Sequence, residues 1–338
     1  MQSTKKIILI TSGDPASIAT EITIKSLLSS NLNEEVFPIL ITDPEILESQ
    51  KKKYRYKFEI NEIKDICNFK DFKKNYFNVI PIRLSNKIIL GQPDVKNSNF
   101  IKNSIFKAVE IQKNSIASGI VTNPINKKIM YKSGFKFKGH TEYLASLSLN
   151  RKYPVMMLVG KNLKTIPLTI HVPLKKVSML ISKEMIIKTV KIANEYLKKF
   201  FAIDNPRIIV TGLNPHAGED GTIGIEEKKI ILPAINTFTK KQSIIVSGPV
   251  SADTAFCLEK RKNYDVAICM YHDQALIPIK TLDFFNSVNV TLGLDFIRTS
   301  PDHGTGYDIA VKNIANPQSL ISAINLAYLM SKNRDNAK

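Results

Sequence analysis

Short apolar segments alternate with longer amphipathic ones along almost the whole chain, and this alternation narrows the folds open to it. Alternating strands and helices are typical of α/β proteins with a largely parallel sheet. Strands are predicted at residues 6–11, 38–42, 79–82, 119–122, 155–159, 165–170, 207–211, 243–247, 266–270 and 289–292. Helices are predicted at residues 18–28, 99–115, 125–131, 183–201, 226–237, 252–260 and 318–331.

Length and composition favour two lobes or one large α/β unit. The chain has 338 residues, of which 43% are hydrophobic, so it can bury a large core. The segment 126–250 reads as a central insertion between two stretches of one sheet. We therefore predict one lobe from residues 1–125 and 251–338, and a second lobe from residues 126–250.

The chain is strongly basic, which raises nucleic acid as a partner. Its formal net charge is +18, but the lysines are scattered at helical spacings and are not clustered with aromatic residues. Specific nucleic-acid binding is therefore not expected, whereas anionic substrates suit this charge. No apolar stretch approaches the ~20 residues that cross a bilayer, and the first one stops at Ser12, so we expect no membrane association and a cytoplasmic location.

The chain has only five histidines, and each is expected in a polar, loop-like segment: His140, His171, His216, His272 and His303. Three of them, His171, His216 and His272, come shortly after predicted strands. The carboxyl ends of strands are where open α/β sheets build their sites.

Three neutral imidazoles from three strand ends suit a divalent metal that keeps positions open for a substrate. Zn²⁺, Mn²⁺ and Co²⁺ all fit this chemistry. The long separations match no compact metal motif, so the alternative, in which each histidine orients its loop by hydrogen bonds, stays open.

Two basic side chains are candidates for holding an anion. Lys280 follows "HDQALIPI", and Arg298 lies in "DFIRTSPDHGTG" beside a hydroxyl-rich glycine turn. No G-x-G-x-x-G follows the first strand. The residues alone therefore indicate a metal-assisted reaction on a small anionic substrate and do not indicate a nucleotide cofactor.

Seven motifs, in order along the chain, resemble the 4-hydroxythreonine-4-phosphate dehydrogenase family. They are "SGDPASIATEI", "TNPINK", "GHTEYLA", "GLNPHAGEDGTIGIEE", "GPVSADTAF", "YHDQALIPIK" and "VNVTLGLDFIRTSPDHGTGYDIA". The resemblance implies a two-lobed α/β/α fold like that of isocitrate and isopropylmalate dehydrogenases, without the Rossmann fingerprint. It also implies a homodimer with the active site at the subunit interface.

The resemblance assigns roles to particular residues. It implies a metal held by His171, His216 and His272, the last of these reaching the metal of the partner subunit. It implies substrate binding by His140, Thr141, Lys280, Asn289 and Arg298. Two acidic residues, Asp253 and Asp273, match positions that line the same cleft, with less defined roles. No further catalytic residue is assigned.

The implied reaction is the oxidation of 4-phosphooxy-L-threonine by NAD, or by NADP, followed by decarboxylation to 3-amino-2-oxopropyl phosphate. This step belongs to pyridoxine 5'-phosphate and pyridoxal phosphate biosynthesis. The expected metal is Zn²⁺, Mg²⁺ or Co²⁺. A sister dehydrogenase acting on threonate or erythronate 4-phosphate is the nearest alternative, and a metal-dependent phosphohydrolase and a basic nucleic-acid-binding protein are the others.

Five residues depart from the usual motifs and put local loop geometry in question. Ser17, Ala19 and Thr20 stand in a first loop that usually has more glycine. Asn123 replaces a small residue in "TNPINK", and Ala275 stands where glycine often follows "HDQ".

Overall fold

The computed structural model describes residues 5–67, 71–114, 116–137, 139–149, 153–239 and 244–337. Within these ranges the chain forms twelve β-strands and twelve α-helices, together with short 3₁₀ and π segments. Two compact units are present: residues 1–152 with 294–331, and residues 153–293 with 332–338. In the described ranges, no helix is both long and apolar enough to cross a bilayer.

The first unit contains six parallel strands in the order β3-β4-β2-β1-β5-β12. They are β1 (Lys6–Thr11), β2 (Val36–Thr42), β3 (Ile60–Glu62), β4 (Phe77–Pro81), β5 (Gly119–Val121) and β12 (Arg298–Pro301). The helices of this unit are α1 (Ala19–Leu27), α2 (Pro44–Tyr54), α3 (Ser98–Lys113), α4 (Lys127–Lys132) and α5 (His140–Leu147). The last helix, α12 (Gln318–Asn336), begins in the same unit.

The central strands of this unit are apolar along their length because helices cover both faces of a parallel sheet. Ile8, Leu9 and Ile10 of β1 are almost fully buried. One side of β1 and β2 packs against α3, through residues that include Ile101 and Ile105. This core fixes the carboxyl ends of β1, β5 and β12, where the loops of the first unit begin.

The second unit contains six strands in the order β11-β6-β7-β10-β8-β9. They are β6 (Val155–Gly160), β7 (Leu163–Thr169), β8 (Arg207–Thr211), β9 (Ile245–Val250), β10 (Val266–Tyr271) and β11 (Val288–Leu292). Its helices are α6 (Val177–Leu180), α7 (Lys183–Phe201), α8 (Leu232–Thr239), α9 (Ala252–Ala255), α10 (Leu258–Arg261) and α11 (His272–Leu282). Strand β6 runs antiparallel to both β7 and β11, and the other pairs are parallel.

The mixed α/β class with a mostly parallel strand arrangement is confirmed. The two compact units have different limits from the predicted lobes, because the central unit covers residues 153–293 whereas the predicted central lobe covers residues 126–250. Strand pairing accounts for the extension to residue 293, since β10 pairs with β7 and β11 pairs with β6.

Several predicted elements need correction. The single helix predicted at 252–260 is two short helices, α9 and α10. Helices α2, α5, α6 and α11 and strands β3 and β12 were not predicted. Two histidines expected in loops, His140 and His272, are instead the first residues of α5 and α11. Ser115 and Ser243, at the ends of a predicted helix and strand, lie outside the described residues.

Candidate functional site

Three neighbouring parallel strands of the second unit, β7, β10 and β8, carry the three candidate metal ligands just beyond their carboxyl ends. His171 comes two residues after β7, His272 directly after β10, and His216 five residues after β8. Parallel strands end at the same edge of a sheet, so the fold brings these loops to one edge.

Gln274 joins two of these strand ends. Its Oε1 accepts hydrogen bonds from the Met270 amide at 2.7 Å and the Thr211 hydroxyl at 2.8 Å, and its Nε2 donates to the Gly212 carbonyl at 2.9 Å. The segments that lead to His216 and His272 are therefore fixed to each other. Sequence reasoning missed this positioning role, although Gln274 lies in the quoted "YHDQALIPIK" motif.

His171 and His272 are far apart in the sequence but close together in space. Their ring centroids are 5.7 Å apart, and His272 Nδ1 is 2.7 Å from Asp273 Oδ1. A carboxylate that accepts a hydrogen bond from the N–H of one ring nitrogen leaves the other nitrogen with a lone pair and orients the ring. Asp273 had no defined role in the sequence analysis. This contact shows that it lies beside a candidate metal ligand, His272.

His216 lies in a left-handed turn. Residues 216–220 all have positive φ angles, with 51° at His216 and 42° at Glu219, and His171 also has a φ of 50°. Left-handed backbone costs a non-glycine residue roughly 1–2 kcal/mol, so such a run persists only where its surroundings hold it. Strain of this kind is often found at functional sites.

The Glu227 carboxylate fixes the residues that lead into this turn. Its Oε1 accepts hydrogen bonds from the Leu213 and Asn214 amides, both at 2.8 Å, and its Oε2 accepts one from Asn214 Nδ2 at 3.0 Å. Glu227 is buried, and although burial raises the pKa of its carboxyl group, the hydrogen bonds from Asn214 and Leu213 outweigh burial and lower it. A Cβ at Gly218 would lie 2.9 Å from the Gly224 carbonyl oxygen and 2.6 Å from Glu227 Oε2, so this position needs glycine.

Asp253 lies near His216. The Ser251 hydroxyl donates a hydrogen bond to its carboxylate, and this bond is the main reason that the pKa of Asp253 is lowered, with a further contribution from His216. The side chain is exposed. Among the described residues, the chain contains no group of three His, Cys, Asp or Glu side chains close enough to hold a metal between them.

The first unit places two predicted substrate-binding residues, Arg298 and His140, near each other. Arg298, in β12, is only 3% exposed, and its Nε and Nη2 donate to the Thr122 hydroxyl at 3.1 and 2.6 Å. Burial lowers the pKa of this guanidinium group to about 9. Thr122 is a contact that the sequence did not predict.

His140 begins α5 and has a buried Nε2. Within the described ranges this nitrogen has no hydrogen-bond partner. Burial, followed by the charges of Arg298 and Lys127, lowers the pKa of His140 well below 6.5, so the ring is neutral. A buried polar atom without a partner is costly, and a ligand that pairs with it recovers this cost. Thr141, the next residue of α5, is half-buried.

The remaining predicted substrate residues belong to the second unit. Lys280 is in the last turn of α11, with its amine 5.3 Å from the centre of the Phe284 ring. Asn289 lies in β11, and its Oδ1 is buried without a hydrogen-bond partner in the described part of the chain. Two of the five predicted substrate-binding residues, His140 and Asn289, therefore present an unsatisfied polar atom.

Four of the five departures from the family motifs are accommodated by local contacts. Ser17 Oγ donates to the Asp14 carbonyl at 2.6 Å and accepts from the Ala19 amide at 3.0 Å. Asn123 Nδ2 donates to the Thr11 carbonyl at 2.9 Å and the Thr23 hydroxyl at 2.8 Å. Ala19 and Ala275 are fully buried.

Comparison with known proteins places these features in a family context. A family model described as "Pyridoxal phosphate biosynthetic protein PdxA" matches residues 34–327. A 4-hydroxythreonine-4-phosphate dehydrogenase of Methylorubrum extorquens is 40% identical over 340 residues, covering 98% of this chain and 96% of the relative. One from Sulfurihydrogenibium is 40% identical over 325 residues, covering 96% and 98%.

The fold is also similar to a solved structure. The crystal structure of 4-hydroxythreonine-4-phosphate dehydrogenase from Klebsiella pneumoniae superposes with a TM-score of 0.87 at 32% identity. The match covers 98% of this chain and 99% of that one.

Proposed function

The chain belongs to the family of pyridoxal phosphate biosynthetic protein PdxA, and we propose that it oxidises 4-phosphooxy-L-threonine with NAD and releases CO₂ to give 3-amino-2-oxopropyl phosphate. This reaction supplies pyridoxine 5'-phosphate biosynthesis. The observation that carries the proposal is the match over 98% of the chain to a relative with the corresponding dehydrogenase name. Use of NADP in place of NAD is the cofactor alternative.

The residues that would hold a divalent metal, Zn²⁺, Mg²⁺ or Co²⁺, are His171, His216 and His272. Their chemistry fits, because all three follow the carboxyl ends of adjacent strands and Asp273 orients one of them. A bound divalent cation supplies Lewis acidity, which lowers the pKa of the hydroxyl group that is oxidised. Glu227 contributes by holding the turn that carries His216.

The residues that would bind the anionic substrate are His140, Thr141, Lys280, Asn289 and Arg298. A guanidinium group buried without bulk water makes a strong charge-assisted contact with phosphate or carboxylate. The neutral His140 has its unsatisfied Nε2 available for a substrate hydroxyl or phosphate group. Fixing both ends of the substrate orients the reacting carbon towards the nicotinamide.

We propose further that the active unit is a homodimer in which His272 serves the metal of the partner subunit. The resemblance of the seven motifs supports this arrangement. His171 and His272 of one chain have their ring centroids 5.7 Å apart, so the arrangement in which these two serve the same ion is the direct alternative. An experiment that mixes differently inactivated subunits distinguishes these two arrangements of His272.

A comparison of substrates tests the proposed function. The purified protein is given NAD and either 4-phosphooxy-L-threonine or erythronate 4-phosphate, and NADH absorbance and free phosphate are followed together. We expect NADH and CO₂ from the amino acid and little from the sugar acid. A higher kcat/KM for erythronate 4-phosphate would favour the sister dehydrogenase, and phosphate release without NADH would favour a phosphohydrolase.

A further inference from the structure

A cavity of about 460 Å³ lies in the second unit, away from the candidate metal ligands. Its wall contains Lys161, Lys164, Arg261, Lys262, Tyr264 and Asp265. A second cavity of about 210 Å³ shares Lys161 and Arg261 with it and is also bordered by Ile279, Leu282 and Asp283. We call the larger one the basic cavity.

The basic cavity is at the opposite edge of the strands from the histidines. Lys161 and Lys164 are at the amino end of β7, and Tyr264 and Asp265 directly precede β10. His171 and His272 follow the carboxyl ends of these same strands. A strand of six residues spans roughly 20 Å at about 3.3 Å per residue, so the two places are separate.

The charges around the basic cavity are unbalanced. Four cationic side chains line it against one carboxylate, that of Asp265. This carboxylate is already engaged by Arg207, whose Nε and Nη2 lie 3.2 and 3.1 Å from its two oxygens and whose amide lies 2.7 Å away. The only carboxylate among the described residues of the cavity wall therefore has its acceptor sites largely used by a residue outside the wall, Arg207.

Two of the four cations are also partly removed from water. The Nε of Arg261 is buried and has no hydrogen-bond partner in the ranges that the structure describes. Burial lowers the pKa of Lys164, whose amine lies 5.5 Å from the centre of the Phe201 ring. A buried guanidinium donor without an acceptor is unfavourable, and an anion in the cavity would satisfy it.

We propose that the basic cavity is a second binding site of this protein, specific for a small molecule that carries a phosphate or polyphosphate group. A cavity of about 460 Å³ lies in the size range of small-molecule sites. Several oxygens on a tetrahedral anion can meet several cations together, and arginine is well suited to such contacts.

Titration calorimetry with pyrophosphate at about 0.15 M salt tests this site, because such salt screens exposed charges. The wild type is compared with Arg261→Gln and Lys262→Gln, and with Lys188→Gln as the matched control. Lys188 is an exposed lysine of α7 that does not line the cavity. Thermal unfolding verifies that each variant is folded.

We expect Arg261→Gln to weaken pyrophosphate binding at least about tenfold, since a hydrogen bond between charged groups is lost. Lys262→Gln should weaken it less, and Lys188→Gln should leave it unchanged. Crystals soaked in tungstate, a heavy analogue of phosphate, should show an anomalous peak within hydrogen-bond distance of Arg261. Equal binding by the wild type and both cavity variants, an equal loss in Lys188→Gln, or no tungstate peak at Arg261 would overturn the proposal.

Discussion

Arg298 and His140 are the two single side chains whose state in the free protein best supports the proposed binding of an anionic substrate. Arg298 is buried with its guanidinium on the Thr122 hydroxyl, and the neutral His140 has an unsatisfied Nε2. Keeping these groups in the fold is costly in the free protein. A substrate that pairs with both would recover that cost on binding, which favours tight and oriented capture.

Replacing Arg298 with alanine should mainly weaken substrate capture. The loss of a charge-assisted contact to a desolvated anion is expected to cost about 2–4 kcal/mol in kcat/KM, and Lys280→Ala should act similarly. Arg55→Ala, which removes an exposed arginine of the same unit, is the control for Arg298→Ala. Steady-state NADH kinetics measure the change. Wild-type kcat/KM in both Arg298→Ala and Lys280→Ala would show that neither side chain holds the anion.

His140 predicts a pH dependence of stability. Its folded-state pKa is lowered below 6.5, so the unfolded chain binds more protons below that pH, and stability falls as the pH decreases. One such group contributes a slope of at most about 1.4 kcal/mol per pH unit. Urea unfolding between pH 5 and 8 should therefore show a shallower pH dependence in His140→Gln than in the wild type. Superimposable pH profiles would contradict this assignment.

At the scale of elements, the segment that carries His216 depends on Glu227. The pKa of the Glu227 carboxyl group is lowered in the folded protein. Glu227 therefore stabilises the fold above pH 4.5, and this stabilisation is lost as the pH falls through the folded-state pKa. Glu227→Gln should destabilise the protein by about 1–3 kcal/mol, because the hydrogen bonds from the Leu213 and Asn214 amides lose their charge assistance. The side-chain NH₂ of glutamine would also replace the oxygen that accepts from Asn214 Nδ2. It should also speed hydrogen exchange across residues 213–220.

Glu219→Gln is the matched control for this change, since Glu219 is an exposed carboxylate in the same turn. Chemical denaturation and exchange measured by mass spectrometry should distinguish the two variants. Equal exchange rates in Glu227→Gln and the wild type would mean that the turn holds its shape without this carboxylate.

The elements differ in how far the sequence could predict them. Strand β1 was predicted with its observed bounds, because an unbroken apolar run ended by a Ser-Gly turn is a strong strand signal. Helix α11 was missed because Pro278 lies inside it and proline normally ends a helical pattern. The left-handed turn at 216–220 could not be read from propensity, since the contacts of Glu227 hold it.

The sequence predicted the positions of some residues of the candidate site but not the contacts that hold them. Strand-end placement of three histidines followed from the apolar runs before them, whereas the joining role of Gln274 and the contact of Thr122 with Arg298 depend on tertiary structure. Residue type and spacing identify which groups carry chemistry. They do not identify the side chains that hold those groups in place.

At the scale of the whole molecule, the proposed shared metal site predicts complementation between inactive subunits. His171→Ala, His216→Ala and His272→Ala are mixed in pairs after subunit exchange, which mass-tagged chains confirm. If His272 serves the partner, each heterodimer of His272→Ala with either other variant has one intact site, so up to about half of the sites in the heterodimers should recover. The His171→Ala and His216→Ala mixture should stay inactive.

Failure of every pairing would show that all three histidines serve the metal of their own chain. If the inactive pairing is instead His171→Ala with His272→Ala, those two residues share an ion and His216 is the ligand that crosses to the partner. The same three mixtures therefore test both the dimeric site and the assignment of His272.

The most direct test of metal-assisted, NAD-dependent oxidation is the formation of NADH from 4-phosphooxy-L-threonine before and after removal of metal. Activity should be lost when elemental analysis shows that the chelated protein is free of metal, and Zn²⁺, Mg²⁺ or Co²⁺ should restore it. The same additions should not restore His171→Ala. Undiminished NADH formation by metal-free protein would contradict the metal site, and absence of NADH under every condition would contradict the proposed reaction.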